Sequence, residues 1–119
     1  MLTVSLNNEV SVAKKEFTGD YQISKTVNGK PSWKSGENAI WYMAYPNGYW
    51  VIGYWNKLGT DYGKFYALND YGGLTDNRNI WNYTPGTSPG KGWIAQSDSK
   101  DVIISCSGGK ESGCVHKRI

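Results

Sequence analysis

Residue types that could perform chemistry are sparse in this sequence and stand apart from one another. A serine or cysteine nucleophile requires a base held in a site, and the single histidine, His116, lies in a basic segment close to the C-terminus. Glycoside hydrolysis requires two placed carboxylates, yet the ten acidic residues form no recognisable pair: Glu9, Glu16, Asp20, Glu37, Asp61, Asp70, Asp76, Asp98, Asp101 and Glu111. The sequence therefore predicts no catalytic residues and a protein that is not an enzyme.

Metal binding is weakly encoded as well. The stretch NDYGGLTDN places Asn69, Asp70, Asp76 and Asn77 around two glycines, and oxygen donors of this kind could hold Ca²⁺. The stretch lacks the ligand spacing of an EF-hand and its bidentate glutamate, so a turn-rich loop is the favoured interpretation. The cysteines match no zinc motif. We expect neither a metal site nor a cofactor.

The two cysteines favour a disulfide. Cys106 and Cys114 enclose seven residues in the segment CSGGKESGC, a glycine-rich loop flexible enough to close, and we favour a bond between them over two free thiols. Disulfides persist in oxidising compartments, and an N-glycosylation acceptor stands at Asn82. We therefore expect an extracellular or secreted protein. A cytosolic location stays open, because the N-terminal segment shows no signal-peptide pattern.

Aromatic residues are concentrated in one segment, IWYMAYPNGYWVIGYW, at residues 40–55. A hairpin with a three-residue loop at 46–48 fits it: the proline presets φ at the first turn position, and the glycine supplies the left-handed residue at the last. This loop pairs Tyr45 with Tyr49. One side of the ribbon then carries Ile40, Tyr42, Ala44, Trp50, Ile52 and Tyr54. The other side carries Trp41, Met43, Tyr45, Tyr49, Val51, Gly53 and Trp55.

Both sides of this ribbon are apolar, whereas a two-layer fold offers one inner face per sheet. We assign the side with Trp50 and Ile52 to the core. The opposite side is then partly exposed, with a hollow at Gly53 opposite Trp41. It is predicted to form a ligand-binding platform, made of Trp41, Tyr45, Tyr49 and Trp55. The open alternative is that loops such as residues 69–79 cover this side, or that it packs inside a closed barrel.

An exposed aromatic platform indicates a binding module. The flat C–H faces of sugar rings pack on Trp and Tyr, and Asn, Asp and Gln can bind the hydroxyl groups, so a glycan is the first predicted ligand. A protein ligand is the alternative, because Trp and Tyr dominate the energetics of protein interfaces. Thirteen cations against ten anions, scattered along the chain, argue against a nucleic acid partner. No apolar run approaches the length of a membrane span.

Composition and alternation predict the fold that would carry such a ribbon. The 119 residues include 15 Gly, 9 Tyr and 6 Trp, a profile typical of turn-rich, all-β domains. Short alternating segments follow one another, and none shows helical periodicity over three turns. We expect an antiparallel β-sandwich or barrel of about eight strands over residues 1–105, followed by a tail, 106–119, that holds the cysteine loop. The predicted core contains Tyr21, Trp33, Trp50, Ile52, Trp93 and Ile103.

The order of several short motifs resembles a β-rich module that recurs in eukaryotic secreted and multidomain proteins. The motifs are, in order, GDY, NGKPSWK, IWY, WVIG and GW. The likeness covers about residues 2–105 and leaves the C-terminal tail outside it. The resemblance implies a β module and adds no catalytic residue.

Overall fold

The computed structural model describes residues 1–6, 16–44, 48–67, 74–75, 81–83, 94–95 and 102–106. These residues form nine β-strands and one short 3-10 turn, and no α-helix occurs among them. The strands are β1 (Leu2–Leu6), β2 (Gly19–Val27), β3 (Lys30–Ser35), β4 (Asn38–Met43), β5 (Tyr49–Tyr54), β6 (Phe65–Ala67), β7 (Trp81–Tyr83), β8 (Ile94–Ala95) and β9 (Val102–Cys106). The 3-10 turn, Trp55–Lys57, follows β5 directly.

Neighbouring strands pair antiparallel, in the spatial order β8-β7-β6-β5-β4-β3-β2-β1-β9. The chain runs as a meander from β1 to β8, and β9 then returns to pair with β1. The expected all-β antiparallel class is confirmed. The arrangement is one curled sheet of nine strands, close to the eight or so expected.

Strand β2 is where the sheet bends. Its first residues, up to Tyr21, pair with β1, whereas residues from Gln22 onwards pair with β3. The pairing with β3 shifts register between Ile23 and Thr26, and irregularities of this β-bulge type bend a strand and increase its twist. As a result, side chains of β7 and β9, which lie far apart in the sheet order, reach the same core cluster.

Two connections between strands contain residues in the left-handed conformation. Asn28 and Gly29 link β2 to β3 with φ angles of 54° and 87°, the left-handed conformation that a type I′ hairpin requires at both central positions. Gly48 precedes β5 with a φ of 83°. The predicted left-handed glycine at the end of the aromatic hairpin loop is therefore confirmed.

The register of the aromatic hairpin differs from the prediction by two residues. Tyr49 pairs with Met43 and not with Tyr45. The predicted three-residue loop is wrong as the connection between paired residues, since that connection spans residues 44–48, of which 45–47 lie outside the described part. A shift by two residues leaves every side chain on its original face. The predicted division of the ribbon into two sides therefore holds despite the wrong pairing.

The side of the ribbon assigned to the core packs into the larger of two hydrophobic clusters, called here the inner cluster. The centroid of the Trp50 ring lies 6.0 Å from that of Trp33 and 5.1 Å from that of Tyr42. Trp93, also predicted to be in the core, lies outside the described residues. Four predicted core residues are buried in this cluster and are confirmed: Tyr21, Trp33, Trp50 and Ile52.

The prediction of Ile103 as a core residue is wrong. Ile103 is 38 % exposed, whereas its neighbour Ile104 is 6 % exposed. Strand β9 pairs with β1 so that Ile104 lies opposite Val4, itself a core residue. Successive residues of a strand point to opposite faces, so Ile103 must face outwards once Ile104 faces inwards. Because residues 103 and 104 are both isoleucine, the sequence pattern does not show which of the two faces the core.

Strand β9 ends at Cys106, which pairs with Leu2 of β1. The β domain thus includes Cys106, the residue at which the tail was expected to begin. Cys114 and the rest of the expected tail lie outside the described residues. The disulfide between the two cysteines stays a prediction.

Candidate functional site

The outer side of the aromatic ribbon is covered by a short segment of the same chain. Residues 55–64, called here the covering segment, begin with the 3-10 turn after β5 and end where β6 begins. Two backbone hydrogen bonds tie its ends to the turn between β3 and β4 and to β5. The N–H of Trp55 donates to the carbonyl of Glu37 at 2.6 Å, and the N–H of Lys64 donates to the carbonyl of Ile52 at 2.9 Å.

A second hydrophobic cluster, called here the outer cluster, lies beneath the covering segment. The indole N–H of Trp41 donates to the carbonyl of Thr60 at 2.9 Å, so this ring is bonded to the segment above it as well as buried. The buried members are Ala39, Trp41, Tyr49, Val51 and Tyr66. Partly buried side chains pack around them: Val27, Met43, Trp55 and Leu58.

Two glycines allow the covering segment to lie directly on the sheet. A Cβ atom on Gly53 would stand 2.9 Å from the Cα of Gly63 and 3.1 Å from Cη2 of Trp41. A Cβ atom on Gly63 would in turn overlap Cγ1 of Val51. The hollow predicted at Gly53 is therefore filled by the Gly63 backbone and the Trp41 ring, and offers no space to a ligand.

The hydroxyl of Tyr66 fastens the last turn of the covering segment. It accepts a hydrogen bond from the N–H of Gly63 at 2.6 Å. It also lies within donating distance of two carbonyls, that of Asp61 at 2.9 Å and that of Gly63 at 3.0 Å. Because the tyrosine is buried, the phenolate form is poorly solvated, and the pKa of Tyr66 is raised well above its usual range.

The predicted platform is wrong in its exposure. Trp41 and Tyr49 are buried: Trp41 lies beneath Thr60 of the covering segment, and the ring of Tyr49 packs beside that of Tyr66. The alternative in which a loop covers this side is closer to the structure, with residues 55–64 as the described covering residues. Of the loop at 69–79 named in that alternative, only residues 74–75 belong to the described part. Tyr45 lies outside the described residues. Trp55 is half-buried, so among the described members of the platform it is the one that keeps some exposure to solvent.

The accessible ring of Trp55 is flanked by two lysines from adjacent strands. The ammonium nitrogen of Lys34 on β3 lies 4.9 Å from the ring centroid, and that of Lys25 on β2 lies 5.6 Å away. The Lys34 ammonium also donates to the carbonyl of Gly36 at 2.9 Å. An ammonium group over an exposed ring gains ~0.5–1 kcal/mol from the ring quadrupole. We call Lys25, Lys34 and Trp55 the lysine–tryptophan cluster.

A second lysine–aromatic pair lies on the covering segment itself. Tyr62 is 41 % exposed, and the ammonium nitrogen of Lys57 lies 5.3 Å from its ring centroid. Exposed Asn56 adds an amide in the 3-10 turn, between Trp55 and Lys57. The covering segment thus carries the half-buried Trp55 and the exposed Tyr62, each with an ammonium group beside its ring.

Sequence reasoning missed the lysines of this site. A signal for Lys34 was present, since alternation along KPSWKS places it on the face opposite Trp33, a predicted core residue. No comparable signal existed for Lys25, because its position relative to β3 depends on the irregular pairing between Ile23 and Thr26. The direction of the Trp55 ring depends on the 3-10 turn, which strand alternation does not predict.

Other candidate chemistry finds no support in the described part of the chain. No group of three or more His, Cys, Asp or Glu side chains that could hold a metal occurs there. Two carboxylates make structural bonds: Glu16 accepts from the Tyr54 hydroxyl at 2.5 Å, and Asp20 accepts from the Thr3 hydroxyl at 2.8 Å. His116 and the four oxygen donors considered for Ca²⁺ lie outside the described residues.

No helix within the described ranges is long and apolar enough to cross a membrane.

Comparison with known proteins assigns no family to the chain. No protein-family model, curated protein or solved structure matches it at a significant level. The resemblance to a recurring β module stays a prediction, and function is inferred from the geometry of the site alone.

Alkaline pH is expected to destabilise the fold through its buried tyrosines. Burial raises the pKa of Tyr21 and that of Tyr66 well above the ordinary value of about 10. Above that pH the unfolded chain ionises both phenols while the folded chain keeps them neutral. The stability present below pH ~10 is therefore lost as the pH rises towards the folded-state pKa values. At pH 11 we expect a loss of ~1.4 kcal/mol per tyrosine, or about 3 kcal/mol for the two.

Urea unfolding at pH 8 and pH 11 measures this loss. Tyr66→Phe removes one ionisable group, so its free energy of unfolding should fall less between the two pH values than that of the wild type. Tyr21→Phe should behave in the same way. A pH dependence unchanged in both variants would contradict the assignment of alkaline unfolding to these two phenols.

Proposed function

We propose that the protein is a non-enzymatic carbohydrate-binding module whose ligand contacts the half-buried ring of Trp55. The observation that carries the proposal is the lysine–tryptophan cluster, in which an accessible indole lies beside the ammonium groups of Lys25 and Lys34. The C–H face of a sugar ring can pack on the indole, and ammonium groups donate charge-assisted hydrogen bonds to oxygen atoms of a ligand. Asn56 and Tyr62 extend the same surface along the covering segment.

The hydrogen bonds that anchor the site to the rest of the domain support a binding role. The backbone of Trp55 is bonded to Glu37 at the edge of β4, and the covering segment is bonded from below by the indole of Trp41 and the hydroxyl of Tyr66. A site held in place before the ligand arrives loses less conformational freedom on binding. Trp41 and Tyr49, proposed from sequence as ligand-contacting residues, act in this view as supports beneath the site.

An extracellular or secreted location belongs to the same proposal. The bond proposed between Cys106 and Cys114 would persist in an oxidising compartment. Glycans on cell surfaces and in secreted material would be accessible to the module there.

A protein ligand is the second candidate function. The observation that favours it is Ile23, a branched apolar side chain that is 48 % exposed in the middle of β2. Protein interfaces bury apolar side chains at their centres, whereas recognition of a sugar through Trp55 makes no use of Ile23.

A glycan array with the purified chain, run with and without Ca²⁺, tests the proposal. Trp55→Ala is expected to weaken binding to the best glycan by about tenfold or more, since stacking on one aromatic ring contributes ~1–3 kcal/mol by analogy with base stacking. The same substitution should lower the free energy of unfolding by ~1–2 kcal/mol, because the ring is partly buried against the outer cluster.

Ile23→Ala is the matched control for this experiment. It removes an exposed apolar side chain outside the site and should leave glycan affinity unchanged. Absence of any glycan that depends on Trp55 would refute the carbohydrate proposal. Capture of a protein ligand that is lost in Ile23→Ala and kept in Trp55→Ala would favour the second candidate.

A further inference from the structure

The ammonium groups of the site occupy the surface that a stacking ligand would contact. Lys25 and Lys34 both place their ammonium nitrogens within 5.6 Å of the Trp55 ring centroid, and Lys57 does the same at 5.3 Å from the ring of Tyr62. A sugar that packs on the ring face beside an ammonium group must displace that group. Binding therefore breaks a cation–π contact, and the displaced ammonium group must interact with the ligand or with water instead.

Neither Lys25 nor Lys34 forms an ion pair with a carboxylate of the described residues. Two acidic residues lie near the cluster in the described part: Glu37, in the turn between β3 and β4, whose backbone carbonyl accepts from the N–H of Trp55, and Asp61 on the covering segment. A neutral sugar would displace the ammonium groups into solvent and give them no new charge partner.

We infer that the saccharide bound at the lysine–tryptophan cluster is anionic, with carboxylate or sulfate groups that accept hydrogen bonds from Lys25 and Lys34. This inference rests on the proposed carbohydrate-binding function and specifies its ligand class. An acidic group beside the stacked ring gives each displaced ammonium a charged acceptor, and charge-assisted hydrogen bonds are about twice as strong as neutral ones.

The second lysine–aromatic pair extends the inference to a chain of sugars. Tyr62 and Lys57 repeat the combination of an accessible ring and an ammonium group on the same covering segment. A polymer whose acidic groups recur along its length can engage both pairs at once. Contacts to the second pair then act at high effective concentration, so affinity should rise with the number of sugar units.

The test compares neutral, carboxylated and sulfated glycans on one array, followed by titration of the best acidic glycan. The inference expects binding to be confined to acidic glycans and to weaken as NaCl is raised from 50 to 500 mM, since salt screens exposed charges. The carboxylated and sulfated sets distinguish the two sources of negative charge. Equal binding of neutral and acidic glycans would overturn the inference and leave the proposed function intact. Absence of all glycan binding would overturn both.

Charge-removing variants test the assigned residues. The double variant Lys25→Gln/Lys34→Gln should lose affinity for the acidic glycan by tenfold or more and should show a weaker salt dependence than the wild type. Lys30→Gln removes the same charge from a lysine that lies over Tyr42, at 4.9 Å, and should bind like the wild type. Lys25→Arg/Lys34→Arg should retain binding, because the positive charges are kept.

Two results would overturn the assignment. One is an affinity of the Gln double variant equal to that of the wild type. The other is competition by polyglutamate as strong as that by the acidic glycan, which would identify an acidic polypeptide as the ligand class. Circular dichroism and urea unfolding of each variant separate a loss of binding from a loss of fold.

Discussion

Replacing Trp41 by alanine is expected to lower the free energy of unfolding by ~3–5 kcal/mol. The ring is inaccessible to solvent at 0 % exposure, fills the space above Gly53 and donates its indole N–H to the Thr60 carbonyl. Its removal leaves a cavity between the sheet and the covering segment together with an unpaired carbonyl. Because small domains are stable by only about 5–15 kcal/mol, this is a large fraction of the total. Urea unfolding monitored by circular dichroism measures it.

Trp41→Phe is the control that separates burial from the hydrogen bond. The phenyl ring retains much of the apolar area but cannot donate to the Thr60 carbonyl, so we expect a smaller loss, on the order of 1–3 kcal/mol. Amide hydrogen exchange of Lys64 and Trp55, whose N–H groups anchor the covering segment, should accelerate more in Trp41→Ala than in Trp41→Phe. A stability loss under ~1 kcal/mol in Trp41→Ala, combined with lost glycan binding, would show that Trp41 is an exposed residue that contacts the ligand.

Replacing Trp50 by alanine should cost a similar ~3–5 kcal/mol, for a different reason. Trp50 belongs to the inner cluster, where its ring contacts those of Trp33 and Tyr42. It lies far in the sheet order from β9, yet shares its cluster with Ile104. Loss of the ring therefore weakens the packing that holds the curled sheet closed on its inner side. Thermal and urea unfolding of the variant measure the effect.

The adjacent isoleucines of β9 supply a matched pair for this prediction. Ile104→Ala removes a side chain from the same inner cluster and should cost ~2–5 kcal/mol. Ile103→Ala makes the same chemical change on the exposed face and should stay within about 1 kcal/mol of the wild type. A larger loss for Ile103→Ala than for Ile104→Ala would mean that β9 is paired with the wrong face inwards.

The all-β class and the two-sided character of the aromatic ribbon were determined by the sequence itself. Alternation with a period of two, a high content of aromatic residues and a dipeptide such as Asn28-Gly29 are local signals, and each acts through the backbone within a few residues. The same period assigned Trp50 and Ile52 correctly to the inner side. It did so even though the pairing of Tyr49 was predicted wrongly, because a shift of two residues leaves the faces unchanged.

Which residues form the candidate site depended on the tertiary structure. Whether an apolar face is exposed depends on which other segment packs on it, and here residues 55–64 fold back over Trp41 and Tyr49. This packing requires the close approach of Gly53 and Gly63, which the turn after β5 brings together. The lysines beside Trp55 come from two strands whose relative position depends on an irregular pairing. Such contacts form only when separate segments fold together, so the pattern of residues along the sequence does not predict them.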